Sequence, residues 1–251
     1  MSALHDLVVY LDEFLRCREI EDYERALNGL QIENSGRVRR IAAAVDASTA
    51  ALRIAAEHEV DFLIVHHGLF WPGLQPITSA FYRTVKCAFD GDIAVYSAHL
   101  PLDLHPVVGN NALLVRALRL EDARPLAAKK GPPVGLEIAA CIGREDLIAR
   151  LQHSLGGEVK TFAHGPEQSS RIAVVAGAAG SEIYDIARLG IDTFITGEAP
   201  HWAAVAAREL GMNLLLGGHY ATETFGVKAL AAHVAERLGL PWEFIDLPTG
   251  L

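Results

Sequence analysis

Two hydrophobic periodicities alternate along the chain, one typical of amphipathic helices and one typical of short buried strands. Near the N-terminus, apolar residues recur three and four positions apart, which predicts a helix over Leu4–Arg16. Short apolar runs over Arg40–Val45 and Asp61–Val65 predict two strands, and the stretch Ala50–His58 between them predicts a helix. Consecutive strands joined through a helix pair in parallel by a right-handed crossover. The pattern therefore indicates an α/β fold.

The same alternation continues to the C-terminus. Further helices are predicted over Ser79–Phe89, Asn111–Leu118, Glu145–Leu155, Ser181–Leu189, Trp202–Leu210 and Thr222–Leu238. Further strands are predicted over Ile93–Ser97, Leu136–Cys141, Arg171–Gly177, Thr193–Thr196 and Asn213–Leu216. Proline interrupts the periodicity at residues 121–135, which predicts a linker. We therefore expect a first α/β unit over residues 1–120 and a second over residues 136–251.

The two halves of the chain repeat one pattern. Asp61–His67 aligns with Asp192–Glu198, each at the end of a predicted strand-helix-strand unit. After an eleven-residue excess in the first half, His99–Asp103 aligns with His219–Glu223. The strands alone would align in many pairs of α/β halves. Matching segments that begin with histidine and end with a carboxylate favour a duplication.

Charge and composition narrow the function classes. The chain has 22 basic and 31 acidic residues, a formal net charge of −9, which opposes binding to duplex nucleic acid or anionic lipid. Its three cysteines have no short mutual spacing, so neither a disulfide framework nor a cysteine zinc site is expected. The N-terminus shows no secretory signal, and no stretch is suited to spanning a bilayer, so we expect a cytoplasmic protein. The eleven histidines are the unusual component.

Five potential ligands directly follow predicted strands: His66, His67, Asp103, His219 and Glu223. Parallel strands place their C-terminal ends on one edge of a sheet, where ligands bind in α/β proteins. Each residue also has a simpler interpretation, such as Asp103 capping a turn. Taken together, five nitrogen and oxygen donors are too many for one structural zinc and suit two divalent ions with open positions for water. Imidazole with carboxylate favours Zn²⁺, Mn²⁺, Fe²⁺ or Co²⁺.

Four short motifs occur in order along the chain: His66-His67-Gly68, Ala98-His99-x-x-Leu102-Asp103, Thr196-Gly197-Glu198 and Gly218-His219-x3-Glu223. Over nearly the whole chain they resemble the motifs of the Nif three-like family, also known as GTP cyclohydrolase I type 2 homologues. One departure is Leu100-Pro101, where family members usually have Thr-Asn. It leaves Asp103 in place and affects any substrate contact that the polar pair would make.

The resemblance implies a dinuclear metal centre held by His66, His67, Asp103, His219 and Glu223. It also implies two intertwined, duplicated α/β units with mixed sheets, in which the C-terminal part completes the metal site of the first unit. The expected assembly is a ring-shaped homohexamer whose sites face an internal cavity.

Two further residues are candidate catalytic groups. His99 is not among the ligands that the resemblance implies, so we expect it to hydrogen-bond a ligand carboxylate or to transfer a proton. Glu198 is the repeat equivalent of His67 and is expected to orient a ligand or a bound water, with a buried structural carboxylate as the alternative.

The predicted function is a metal-dependent hydrolase. Two divalent ions would activate water and stabilise negative charge on the substrate. The resemblance suggests ring opening of GTP, whereas the donor chemistry would serve another small nucleotide, a phosphate ester or an amide equally well. The alternative is a non-catalytic metal-binding hexamer that stores metal or acts as an interaction scaffold.

Overall fold

The computed structural model describes residues 3–127 and 134–251. The predicted linker over residues 121–135 lies partly outside these ranges, at residues 128–133. Before that gap, Arg124–Pro125 forms a two-residue strand that pairs with the strand after it.

Helices and strands alternate as the sequence predicts, and they are numbered here in chain order. The helices are α1 (Ala3–Phe14), α2 (Thr49–Glu57), α3 (Ser79–Asp90), α4 (Leu100–Asp103), α5 (Asn110–Ala117), α6 (Arg144–Leu155), α7 (Ile183–Arg188), α8 (His201–Leu210) and α9 (His219–Leu238). The strands are β1 (Gly29–Ile32), β2 (Ile41–Asp46), β3 (Phe62–His67), β4 (Ala94–Ser97), β5 (Arg124–Pro125), β6 (Leu136–Gly143), β7 (Lys160–Ala163), β8 (Gln168–Val175), β9 (Thr193–Thr196), β10 (Asn213–Leu216) and β11 (Trp242–Phe244). The predicted mixed α/β fold is confirmed.

The chain forms two compact units, each containing one mixed sheet. The first unit consists of the chain up to Val108 together with Gly226–Leu247. The second consists of Gly109–Phe225 together with Pro248–Leu251. No helix of the described residues combines the length and the apolar character that crossing a membrane requires.

The sheet of the first unit has the strand order β1-β4-β3-β2-β11. Strands β11, β2, β3 and β4 run parallel, and β1 pairs antiparallel with β4 at one edge. The central strands are almost entirely apolar, as expected for parallel strands that are covered on both faces. Leu63, Val65 and Val95 are fully buried and pack with residues of α2.

The sheet of the second unit has the order β5-β6-β8-β9-β10-β7. Strands β8, β9 and β10 run parallel, while β5, β6 and β7 pair antiparallel at the two sides.

The parallel strands of the two units show the duplication directly. Ala43 pairs with Ile64 in the first unit, and Val174 pairs with Ile195 in the second. Both pairs join residues 21 positions apart, so the first crossover has the same length in both repeats. Three consecutive parallel strands therefore end side by side in each unit: β2, β3 and β4 in the first, and β8, β9 and β10 in the second. The predicted ligands lie at or after these strand ends in the sequence.

Candidate metal centre

Three histidines of the first unit lie together at the C-terminal ends of β3 and β4. His66 and His67 are the last residues of β3, and His99 follows β4 by two residues. One ring nitrogen from each lies within 4.8 Å of the others. This spacing allows the three imidazoles to bind one metal ion.

The backbone of the neighbouring strand fixes the ring of His66. Nδ1 of His66 donates to the carbonyl oxygen of Ala98 at 2.8 Å. A carbonyl oxygen can only accept, so the proton lies on Nδ1, and Nε2 is the nitrogen that can bind a cation. His66 is fully buried, and its Nε2 lies 3.5 Å from Oδ2 of Asp103. The structure therefore brings these two predicted ligands together.

A carboxylate fixes His67 in the same way. Asp46, the last residue of β2, accepts a hydrogen bond from Nδ1 of His67 at 2.9 Å. Asp46 does not cap α2, because Ser48 caps that helix by accepting a hydrogen bond from the backbone N–H of Ala51. The available signal for Asp46 is its position at a strand end beside the histidine strand.

Two polar residues of the loop before β1, Asp22 and Asn28, form hydrogen bonds with His99. Oδ1 of Asp22 lies 2.8 Å from Nδ1 of His99, and its Oδ2 accepts from Leu100 N and from Asn28 Nδ2 at 2.9 and 2.7 Å. Oδ1 of Asn28 accepts from the backbone N–H of His99 at 2.7 Å. Burial alone would raise the pKa of Asp22, but the hydrogen bonds from His99 and Asn28 lower the pKa below its ordinary value.

Aromatic rings cover one side of the histidine cluster. Trp71 stands edge-on to His67 and His99, with ring centroids 5.9 and 4.9 Å away. Tyr23 packs against His99 with centroids 5.8 Å apart. Trp71 also carries a buried indole N–H with no hydrogen-bond partner among the described residues. Trp71 therefore packs against two of the three imidazoles.

The second unit contains three more of the predicted site residues. Helix α9 begins at His219, three residues before the predicted start, so His219 and Glu223 lie one turn apart on one helix face. Nε2 of His219 is 3.2 Å from Oε2 of Glu223, and its Nδ1 is 2.9 Å from Oε2 of Glu198. Glu198 therefore contacts a predicted ligand, and its side chain is 44% exposed rather than buried.

The two carboxylates favour the charged form of His219. The hydrogen bond to Glu223 raises the pKa of His219 most strongly, burial opposes the rise, and Glu198 adds to it, so the pKa is about 9. A bound cation would take the place of this proton at Nε2.

Glycine at position 177 leaves the space that Glu223 occupies. Gly177 has a φ of +71°, and a Cβ added there would lie 2.2 Å from Oε1 of Glu223. No other residue type therefore fits beside the carboxylate without moving it.

The donor set fits divalent transition ions. In all four histidines an oxygen atom holds Nδ1: a carbonyl for His66 and carboxylates for His67, His99 and His219. This is the usual arrangement around metal-binding histidines, whose other nitrogen then faces the ion. Asp103 and Glu223 are both nearly buried and would supply oxygen ligands.

Known proteins resemble this chain in sequence over nearly its full length. Residues 2–249 match the family model Duf34/NIF3 (NGG1p interacting factor 3). A Deinococcus radiodurans protein named GTP cyclohydrolase 1 type 2 homolog is 41% identical over 248 residues, which cover 98% of this chain and 94% of the relative.

Solved structures match the fold over the whole chain. The crystal structure of TTHA1606 from Thermus thermophilus matches with a TM-score of 0.91 at 41% identity, and both chains are covered completely. Protein ybgI, solved with unknown function, matches with a TM-score of 0.90 at 34% identity, also over both complete chains. The chain therefore belongs to the DUF34/NIF3 family.

Proposed function

We propose that the chain is a metal-dependent hydrolase that holds two divalent ions and acts on a small nucleotide or other phosphate-containing substrate. The observation that carries this proposal is the shared hydrogen bonding of His66, His67, His99 and His219. Each ring is held at Nδ1 by an oxygen acceptor, so Nε2 is the nitrogen that can bind a cation in His66, His67 and His219 and the nitrogen that can accept a proton in His99.

The proposed metal ligands are His66, His67, Asp103, His219 and Glu223. They supply imidazole nitrogen and carboxylate oxygen, which suit Zn²⁺, Mn²⁺, Fe²⁺ or Co²⁺. When bound, such ions act as Lewis acids that activate water and stabilise negative charge on the substrate.

His99 and Glu198 are the proposed catalytic groups. The carboxylate of Asp22 holds a proton on Nδ1 of His99, which leaves Nε2 as the atom that can accept a proton during the reaction. Glu198 orients the ring of His219 through Nδ1. Trp71 and Tyr23 pack against the ring of His99.

Ring opening of GTP is the most specific form of the proposal. It is supported by the relatives that share the name GTP cyclohydrolase 1 type 2 homolog. The aromatic residues beside the histidines provide flat apolar surface that suits a planar base. We further propose that the protein assembles as a ring-shaped homohexamer and acts in the cytoplasm.

The test is a substrate screen with metal-loaded protein against GTP, other nucleotides, phosphate esters and small amides. We expect hydrolysis of at least one class, lost in His66→Ala and retained in His153→Ala, a control at an exposed histidine of α6. Elemental analysis of the same samples should give two divalent ions per wild-type chain. A wild type that holds both ions and hydrolyses nothing would instead support a non-catalytic metal-binding scaffold.

A further inference from the structure

A cleft in the first unit lies between α2 and α3, and none of its lining residues belongs to the histidine cluster. Its volume is about 450 Å³. Three of its lining residues are basic: Arg53 from α2, and Arg83 and Lys86 from α3. Pockets of a few hundred cubic ångströms are typical of small-molecule sites.

The charges of the cleft do not cancel. Both carboxylate oxygens of Asp90 lie against Nζ of Lys86, at 2.7 and 2.6 Å, so this acidic residue neutralises one lysine. Within the described residues, Arg53 and Arg83 form no ion pair. The cleft therefore carries an excess of about two positive charges at pH 7, although the whole chain has a net charge of −9.

Several other arginines of this unit do form ion pairs. Arg37 lies 3.5 Å from Asp92, and Arg39 lies 2.9 Å from Asp61. Arg53 and Arg83 therefore leave positive charge beside the cleft that a bound anion would neutralise.

The remaining wall of the cleft is small and uncharged. Ala56 and Cys87 line it, and burial raises the pKa of the Cys87 thiol, with the positive charge of Arg53 opposing that rise. The thiol is therefore neutral at pH 7 and does not compete with a bound anion. This wall leaves room for an organic group attached to the anion.

We propose that the cleft between α2 and α3 binds a small phosphate-bearing molecule, whose phosphoryl oxygens accept hydrogen bonds from Arg53 and Arg83. Guanidinium groups donate in a fork that matches phosphate oxygens, which favours phosphate over a monovalent halide. The cleft volume exceeds that of a phosphate ion, so a phosphate monoester fits it better than inorganic phosphate. This site is separate from the proposed metal ligands and does not depend on hydrolase activity.

The test measures binding of inorganic phosphate and of ribose 5-phosphate by calorimetry, with metal-loaded protein and with chelator-treated protein. We expect saturable binding in both samples, tighter for the ester. Arg53→Gln and Arg83→Gln should each weaken it by about tenfold or more, the loss expected for a charge-assisted hydrogen bond. Arg37→Gln, at an exposed arginine outside the cleft, is the matched control and should bind as the wild type does.

A chemical readout locates the ligand. Alkylation of Cys87, followed by peptide mass spectrometry, should slow when ribose 5-phosphate is present, while exposed Cys141 reacts at an unchanged rate. Absence of saturable binding, or binding that both arginine variants retain, overturns the proposal. Binding lost in His66→Ala but kept in Arg53→Gln assigns the phosphate to the histidine cluster, which also overturns the proposal and leaves the proposed hydrolase intact.

Discussion

At the scale of single residues, the orientation of each site histidine depends on an oxygen atom from a distant part of the sequence. His67 depends on Asp46, and His99 depends on Asp22, 77 positions away. Such partners raise the basicity of the imidazole and select the nitrogen that faces a metal.

Removing one of these carboxylates tests the arrangement. We expect Asp46→Asn to weaken binding of Zn²⁺ or Co²⁺ by about 10- to 100-fold, because the neutral amide no longer supports the charge of the metal-bound imidazole. Competition with a chromophoric chelator measures the affinity. Glu243→Gln is the control, since Glu243 accepts a hydrogen bond from Nδ1 of His58 outside the cluster. Equal affinities in the two variants would contradict the role assigned to Asp46.

A second prediction concerns the glycine beside Glu223. Gly177→Ala should lower the free energy of unfolding by about 1–3 kcal/mol, because alanine is strained at positive φ, and its Cβ would also displace the Glu223 carboxylate and weaken metal binding. Gly156→Ala is the matched control: its φ is +69°, but no atom lies within 4 Å of the added Cβ. Urea unfolding and metal titration of both variants measure the two effects. If Gly156→Ala loses as much metal affinity as Gly177→Ala, the space beside the Glu223 carboxylate has no specific role in metal binding.

The site residues differ in how far the sequence predicts them. Easily recognised apolar runs precede His66, His67, His219 and Glu223, so the positions of these residues near strand ends could be predicted. Asp22 lies in an irregular loop, and only its hydrogen bonds to His99 and Leu100 show its role. No local pattern carries that information.

At the scale of elements, the apolar pattern predicts the central strands and long helices, and it misses the short edge strands and the one-turn helix α4. The missed elements are β1, β5, β7, β11 and α4, none longer than four residues. Four-residue central strands such as β4 and β9 are recognised because every residue is buried, whereas the edge strands β5, β7 and β11 are partly or fully exposed and contain no apolar run. The helix predicted over Ser181–Leu189 begins instead with a 3₁₀ turn at Ala179–Glu182, followed by α7.

The repeat alignment also needs a correction of one residue. Ile64 pairs with Tyr96, 32 positions later, whereas Ile195 pairs with Leu215, 20 positions later. The strands therefore differ by twelve residues, although the histidines align with an excess of eleven. The second repeat has one extra residue after β10, because His219 follows Leu215 by four residues whereas His99 follows Tyr96 by three. The segment before His219 includes Gly218 at a φ of +94°. A sequence alignment anchored on histidines has no means of placing that extra residue.

At the scale of the whole molecule, metal binding should add to stability. Because the predicted ligands are arranged by the folded chain, an ion at 100 times its Kd should raise the free energy of unfolding by about 2.7 kcal/mol. Differential scanning calorimetry with Zn²⁺ should show a higher Tm, reversed by chelator and reduced in His66→Ala. An unchanged Tm at saturating Zn²⁺ would mean that the folded chain holds no specific ion.

The first unit is built from two segments that are far apart in the sequence, and this affects its folding during synthesis. Strand β11 pairs with β2 through Trp242 and Ile41, yet it leaves the ribosome about 200 residues later. Until then the apolar edge of β2 remains exposed, and such edges promote aggregation. A chain that stops after the first repeat keeps this defect permanently. Covering that edge of β2 therefore requires synthesis to continue through the whole second repeat.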